Sequence, residues 1–367
     1  TLITPVIGEP KTLNYFLSQE GSSTAVLALM YEGLIGIAQT TSEIIPALAE
    51  SWIISEDGKT ITYTLKDDLQ WSDGAPLTVD DVVFTYNDII LNEAITTDTR
   101  DVLRIGAEGK LPTVRKLDER RVEFKIPEPF APFLRVTGIA ILPKHILQET
   151  VDTLDDEGVP TYMSTWDTGT DPKEIIGNVP YTIQKFIPGE RIVFQRNPYY
   201  WQKGDNGEQQ PYIEEVIWPV VSSQDAQFVR FRSGDAALMA VTPDNFALIK
   251  RDEEQGNYTV YNGGPTSTRL FVTFNLNQGK ADGVPVVAPV KSAWFSKVEF
   301  RQAVAYAIDR ETMLNNIFKG LGELQNSQIA PQSPYLATDG LPVYDYNIEK
   351  ARELLLSAGF KYQGDQL

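Results

Sequence analysis

An α/β architecture built from more than one domain is predicted by three features of this sequence. The chain has 367 residues, more than a single hydrophobic core ordinarily organises. Short segments alternate apolar and polar residues with period two, the mark of half-buried strands, and between them lie stretches with apolar residues at helical spacing. Hydrophobic residues make up 42% of the chain, enough to bury such elements.

In chain order, a Glu56-Asp57-Gly58 turn precedes a strand over Thr60 to Lys66, with Ile61, Tyr63 and Leu65 on one face and threonines opposite. Thr78 is placed to cap a helix, with Asp80 and Asp81 in the first turn where negative charge suits the dipole. Val82, Val83, Tyr86, Ile89 and Ile90 form its buried stripe. Arg121 to Ile126 alternates again, and Pro127, Pro129 and Pro132 close it. After a polar, turn-rich span from Asp152 to Asp171, strands are expected at Tyr181 to Gln184, Arg191 to Gln195 and Ile213 to Val221. Ser222 with Asp225 marks a helix start before Phe228 and Val229.

Asn262-Gly-Gly-Pro265 reads as an interdomain connection, because turn-forming residues gather there between ordered stretches. A strand is expected from Thr268 to Leu276, with Leu270, Val272, Phe274 and Leu276 on one side. Three helices follow. Ser296 with Glu299 suggests a capping box for the first, whose stripe is Ala303, Val304, Ala307 and Ile308. Asp309 caps the second, which carries Met313, Leu314, Ile317 and Phe318 and stops at Gly320. Asn347 opens the third, which ends at Gly359.

Composition removes several function classes. Lys and Arg number 32 against 50 Asp and Glu, a formal charge of −18. Such a polyanion is repelled by phosphate backbones and anionic lipid, and no basic stripe offsets it, so nucleic acid is excluded as a partner. The chain has no Cys, which removes disulfides, thiolate metal sites and cysteine nucleophiles. No apolar run reaches membrane-spanning length. The chain opens at Thr1 without an initiator Met, as expected of a mature or trimmed form that has lost an export signal.

His145 is the single histidine, and no Gly-x-Ser-x-Gly turn sets a hydroxyl nucleophile beside it. Two carboxylates suffice for glycosidase chemistry, so a carboxylate hydrolase stays open as a remote alternative. Asp57-Gly58 and Asp73-Gly74 read as turns. The acids around Asp155 lack the one-three-five oxygen spacing of a calcium loop. No cofactor, metal site or catalytic residue is expected.

Five blocks, in order, carry a resemblance over nearly the whole chain. They are Gly8-Glu-Pro-Lys-Thr-Leu13; Met30-Tyr-Glu-Gly-Leu34; Leu48 to Tyr86 with its Trp71-Ser-Asp-Gly-Ala-Pro core; Asn178-Val-Pro-Tyr181 continuing through Asn197-Pro-Tyr-Tyr-Trp201; and Phe274-Asn-Leu-Asn277 with Val298-Glu-Phe-Arg-Gln-Ala-Val-Ala-Tyr-Ala-Ile-Asp-Arg310. Together they resemble the extracytoplasmic solute-binding proteins of peptide/nickel-type ABC importers. The resemblance implies an α/β, two-lobed fold like type II periplasmic binding proteins, with an extra inserted domain. Lobe I would use residues 1–45 and 178–262, the extra domain 46–177, and lobe II would begin at 263 and run to 367. Asn262, Gly263, Gly264 and Pro265 fall where a hinge belongs, and glycines absorb backbone rotation at least cost. Family members continue past the helix opened by Asn347, so lobe II is expected to be incomplete in this chain.

The same resemblance implies a binder rather than an enzyme. A peptide or oligopeptide, or alternatively an oligosaccharide or a chelated metal, is gripped between the lobes and passed to a membrane permease. The protein would act as a monomer, periplasmic or anchored at the cell surface. Gln19, Glu20, Gly21 and Ser22 align with a loop that pairs its backbone with an extended ligand; read without the alignment, they are a solvated turn before a helix. Ala240 and Thr242 are placed at a strand end on the cleft floor, or form a plain strand terminus. Thr266, Ser267 and Thr268 can offer hydroxyls to a ligand or satisfy their own backbone. Trp52, Trp71 and Trp201 are expected to serve packing.

Overall fold

The computed structural model describes residues 1–38, 41, 43–263, 269–331, 333, 335–337, 339–362 and 364. Gly264, Pro265, Thr266, Ser267 and Thr268 therefore lie outside the described residues. The chain divides into two units, Thr1–Ala240 and Val241–Leu367.

The first unit holds eleven strands among its described residues. In order they are β1 (Leu2–Ile3), β2 (Val6–Ile7), β3 (Ile35–Ile37), β4 (Ile44–Pro46), β5 (Ala49–Ile54) and β6 (Thr60–Leu65), then β7 (Thr113–Lys116), β8 (Arg121–Lys125), β9 (Tyr181–Ile187), β10 (Arg191–Arg196) and β11 (Glu215–Val221). One sheet runs β1-β11-β10-β9, with β2 also pairing β11. Its β1 and β2 lie parallel to β11, so the chain's start and a segment more than two hundred residues later share one sheet. A second, antiparallel sheet runs β5-β6-β8-β7.

Alternation does its expected work in the second sheet. Ile61, Tyr63 and Leu65 of β6 and Val122 and Phe124 of β8 are all buried. Tyr63 meets Phe124 edge-on at 5.5 Å and Phe124 meets Tyr86 edge-on at 4.7 Å. Each such pair adds about 0.5–1.5 kcal/mol beyond the area it hides. Tyr86 comes from the helix that Thr78 caps. There α1 (Gly21–Leu27) is followed by α2 (Val79–Val83), with a full capping box between Thr78 and Asp81. Beyond Val83 the helix widens into a π-helical stretch, Phe84–Ile90, yet Tyr86, Ile89 and Ile90 stay buried. Helix α3 (Lys144–Asp152) packs near it, and α4 (Gln224–Arg232) follows β11. The N-cap of α4 is Ser223, one residue after the expected Ser222, and its side chain accepts from the Ala226 amide.

The second unit carries α5 (Pro243–Arg251), α6 (Pro289–Phe295), α7 (Val298–Ala307), α8 (Arg310–Ile317) and α9 (Ile348–Ser357). Asp309 and Asn347 cap α8 and α9 as expected, accepting from the Thr312 and Lys350 amides. Ala303 of α7 and Ala351 of α9 are buried. Phe274, Phe295, Phe300 and Phe360 form an aromatic cluster.

Two expectations fail in this unit. Residues 269–276 form no strand, and Leu270, Phe271 and Val272 are exposed at 78%, 67% and 63%. Alternation proposes a strand, but a ladder needs a hydrogen-bonding neighbour, and none of the described residues supplies one. Ser296 does not open α7 either. Its hydroxyl donates to the Ser292 carbonyl at 2.7 Å, closing α6, and Lys297 precedes α7 without a side-chain cap. Among the described residues no helix is long and apolar enough to cross a membrane.

Candidate functional site

Glu20, Gly21 and Ser22 sit where α1 begins. Glu20 is the N-cap; its carboxylate accepts from the Ser23 amide at 3.1 Å, the Lys11 amide at 3.3 Å and the Ser23 hydroxyl. Partial burial pushes the Glu20 carboxyl up, but these hydrogen bonds outweigh it and hold the pKa below the ordinary value. Ser23 is fully buried, and its Oγ accepts from the Lys11 and Thr12 amides at 2.9 and 3.2 Å. The loop after β2 is thereby tied to the helix start. Glu20 is committed to this cap, while Gln19 is exposed.

Gly21 and Ser22 border a cavity of about 250 Å³. Val6, Ile7 and Gly8 from the start of the chain and Ala25 of α1 line it with Ile192 of β10 and Trp218 of β11. Trp218 is held edge-on against Phe194 at 4.9 Å. Gln227 of α4 completes the lining, its amide donating to the Pro5 carbonyl at 2.7 Å. Among the described residues no charged side chain lines this cavity. Beside it, β2 pairs with β11. The reading of the sequence missed Trp218, Ile192 and Gln227, which reach the site only through the pairing of β1 and β2 with β11.

The remaining expected contacts stand elsewhere. Leu238 to Thr242 form no strand; just before them the Ala237 amide donates to the Ile3 carbonyl at 2.9 Å. Ala240 ends the first unit, whereas Thr242 precedes α5 in the second without a side-chain cap. Asn262 and Gly263 are exposed and irregular.

A half-buried acid was also missed. Glu32, in the loop after α1, accepts from the indole Nε1 of Trp201, and the Lys66 ammonium lies 4.5 Å from the centre of that indole. Burial pushes the Glu32 carboxyl up to about 7, with the Trp201 hydrogen bond and the Lys66 charge pulling the other way. An acid flanked by apolar residues in Met30-Tyr-Glu-Gly-Leu34 was the available signal.

A second, open concavity of about 630 Å³ lies along α2 and α3 and includes Lys144, His145 and Asp152. His145 Nε2 pairs with Asp73 Oδ2 at 2.8 Å. Thr78, the hydroxyl of that lining, is committed to the α2 capping box. Among the described residues no three His, Cys, Asp or Glu side chains are gathered to hold a metal ion.

A family model described as "Bacterial extracellular solute-binding proteins, family 5 Middle" matches residues 43–367. A "Probable ABC transporter-binding protein" of Deinococcus radiodurans is 27% identical over 364 residues, covering 96% of this chain and 58% of its own length. The chain thus spans little more than half of that relative. The structure of NikZ from Campylobacter jejuni in complex with Ni(L-His) superposes with a TM-score of 0.77 at 23% identity, covering 100% of this chain and 64% of its own. The oligopeptide-binding protein AppA from Bacillus subtilis, in complex with a nonapeptide, gives 0.73 at 23% identity, covering 99% and 65%. The α/β fold of those solute-binding proteins is therefore the fold of this chain.

Proposed function

Because this chain belongs to the bacterial extracellular solute-binding proteins of family 5, we propose that it captures an extracytoplasmic solute, a peptide or oligopeptide, for an ABC importer. The observation that supports peptide over other cargo is the loop of Gln19 to Ser22 at the start of α1, beside a cavity of about 250 Å³ whose lining, among the described residues, holds no charged side chain. A loop that offers its backbone recognises any extended main chain, and an adjoining pocket adds what selectivity there is.

In this reading residues 1–45 and 178–262 form lobe I, 46–177 an extra domain, and 263–367 part of lobe II. Asn262 to Pro265 act as the hinge. A bound peptide favours the closed form only by its greater affinity for that form. The protein works as a monomer that docks on a membrane permease and leaves its cargo chemically unchanged. It resides outside the cytoplasmic membrane, free or lipid-anchored.

Mass spectrometry under non-denaturing conditions, on protein freshly purified from its native host, tests the proposal. A co-purified peptide that is displaced by added synthetic oligopeptides is the expected result. A co-purified oligosaccharide or nickel chelate, with no displacement by any peptide, overturns the cargo. Hydrolysis of the bound solute overturns the binder.

A further inference from the structure

We propose that Asn262-Gly263 is a self-modification site, at which the Asn262 side-chain amide is converted to aspartate and isoaspartate without an enzyme. The chain carries two Asn-Gly pairs, Asn206-Gly207 and Asn262-Gly263. In the folded protein the first is locked and the second is set up to react. Asn262 begins the stretch read above as the hinge, so on that reading the change falls on the joint. The chemistry itself rests on neither the hinge nor the cargo.

The reaction balances on water alone. The Gly263 main-chain nitrogen gives its proton to solvent and bonds to Asn262 Cγ. The Cγ–Nδ2 bond breaks, and Nδ2 leaves as ammonia with protons taken from water. Water then opens the resulting five-membered imide at either carbonyl. Opening at Cγ leaves aspartate on the original main chain. Opening at the main-chain carbonyl leaves isoaspartate, whose chain runs through the former side chain and is one methylene longer. No oxidation state changes, and either product adds one negative charge. The attack requires the backbone to turn its nitrogen onto the preceding side chain, which a following glycine permits most readily because it has no Cβ in the way.

At Asn206 both reactants are engaged. The Gly207 amide donates to the Gly204 carbonyl at 2.8 Å, inside a turn flanked by the Lys203–Gln209 bridge, and Gly207 is held at a φ of +80°. The Asn206 side chain is tied at both ends. Its Oδ1 accepts from the Glu208 amide at 3.1 Å, and its Nδ2 donates to the Glu208 carboxylate at 2.8 Å. Attack there has to break these bonds together. Asn262 and Gly263 are instead exposed and belong to no helix or strand. Among the described residues no backbone hydrogen bond holds the Gly263 amide, and a Cβ built on Gly263 meets nothing within 4 Å. Solvent, the source of both base and water, therefore reaches the pair, and space is open for the backbone to rotate.

The test follows the whole chain, freshly purified and kept warm at pH 8, by peptide-mapping mass spectrometry, with a protein isoaspartyl methyltransferase as the probe for isoaspartate. The peptide holding Asn262 is expected to turn from amide to acid and to become a methyl acceptor. The peptide holding Asn206 is expected to react at least about tenfold more slowly, as the loss of two or more hydrogen bonds on the way to attack requires. In urea, with the turn around Asn206 melted, the two peptides are expected to react at similar rates. Asn262→Ser is expected to abolish the methyl acceptance of the folded chain, and Asn206→Ser to leave it intact. Gly263→Val is expected to slow it severalfold, because a branched side chain impedes the approach of the nitrogen. Asn262 that stays an amide in the folded protein while reacting in urea overturns the proposal, as does Asn206 reacting as fast as Asn262 in the folded protein.

Discussion

Trp201 donates its indole N–H to the carboxylate of Glu32, a residue 169 positions away in the chain. The bond joins the loop after α1 to the segment after β10, and Lys66 at the end of β6 covers the same indole. Asn178 fixes the Glu32 backbone on both sides. Its side chain accepts from the Glu32 amide at 2.9 Å and donates to the Glu32 carbonyl at 3.3 Å. Glu32 is thus held in place while burial works against its charge.

That conflict makes stability depend on pH. Burial raises the folded-state pKa of Glu32 from 4.5 to about 7. Between those values the folded protein holds a proton that the unfolded chain has released, so the group's contribution is fully present below 4.5 and lost as pH rises through 7. The loss is of order 3 kcal/mol for a shift of this size. Glu32→Gln keeps an acceptor for Trp201 and removes the charge. Urea denaturation of both proteins at pH 4.5, 6 and 8 is expected to show the variant gaining on the parent as pH rises, with the gain levelling off above pH 7. A difference that is flat with pH would refute the assignment.

Trp201→Phe keeps a ring under Lys66 but withdraws the donor from Glu32. A buried acceptor left without its partner costs about 1–3 kcal/mol, and the Glu32 pKa should climb further once that bond is gone. The expected result is a lower urea midpoint at pH 8 with a smaller loss at pH 5, where Glu32 is protonated. Carbon-detected NMR titration of the Glu32 side chain reads the pKa directly; an unmoved titration would show that the indole contributes nothing to it.

What the sequence disclosed follows the range of each interaction. Alternation found β6 and β8 because each strand's buried face is written in consecutive residues. Thr78, Asp309 and Asn347 were found as caps because a cap and its amide lie two or three residues apart. Ser296 misled because its hydroxyl had a local competitor, the Ser292 carbonyl, that a capping pattern does not weigh. The stretch 269–276 misled because alternation describes one strand and says nothing of its neighbour. Gly21 and Ser22 were reachable by alignment, whereas Trp218 and Gln227 come to the same cavity from β11 and α4, across two hundred residues. The Glu32–Trp201 bond was hidden for the same reason.

The two capping patterns give a paired test. Thr78→Ala removes a side chain that accepts from the Asp80 amide and sits in a reciprocal box with Asp81. Its expected cost is about 1 kcal/mol. Ser296→Ala removes only a bond back into the preceding turn, at an exposed position, and is expected to stay within about 0.5 kcal/mol of the parent. Chemical denaturation of both variants checks this, and equal losses would mean that Ser296 caps α7 after all.

Close backbone approaches around Glu32 yield the sharpest contrast. A Cβ added at Gly33 runs into the Ile139 carbonyl and the Gly138 backbone, and one at Gly177 runs into the Met30 carbonyl. Neither neighbour is a flexible side-chain tip, so the backbone itself must shift. Overpacking of that kind costs about 1–3 kcal/mol and sometimes more. At Gly21, the first residue of α1, an added Cβ meets nothing within 4 Å, and alanine there restricts the unfolded chain without straining the folded one. Gly33→Ala and Gly177→Ala are therefore expected to lower the melting temperature by several degrees, while Gly21→Ala leaves it level or raises it by the equivalent of about 0.4–1 kcal/mol. Calorimetric melts of the three proteins decide the matter. Should Gly33→Ala melt with the parent, the loop carrying Glu32 does not pack against residues 138 and 139, and the pH dependence argued from its burial loses its footing as well.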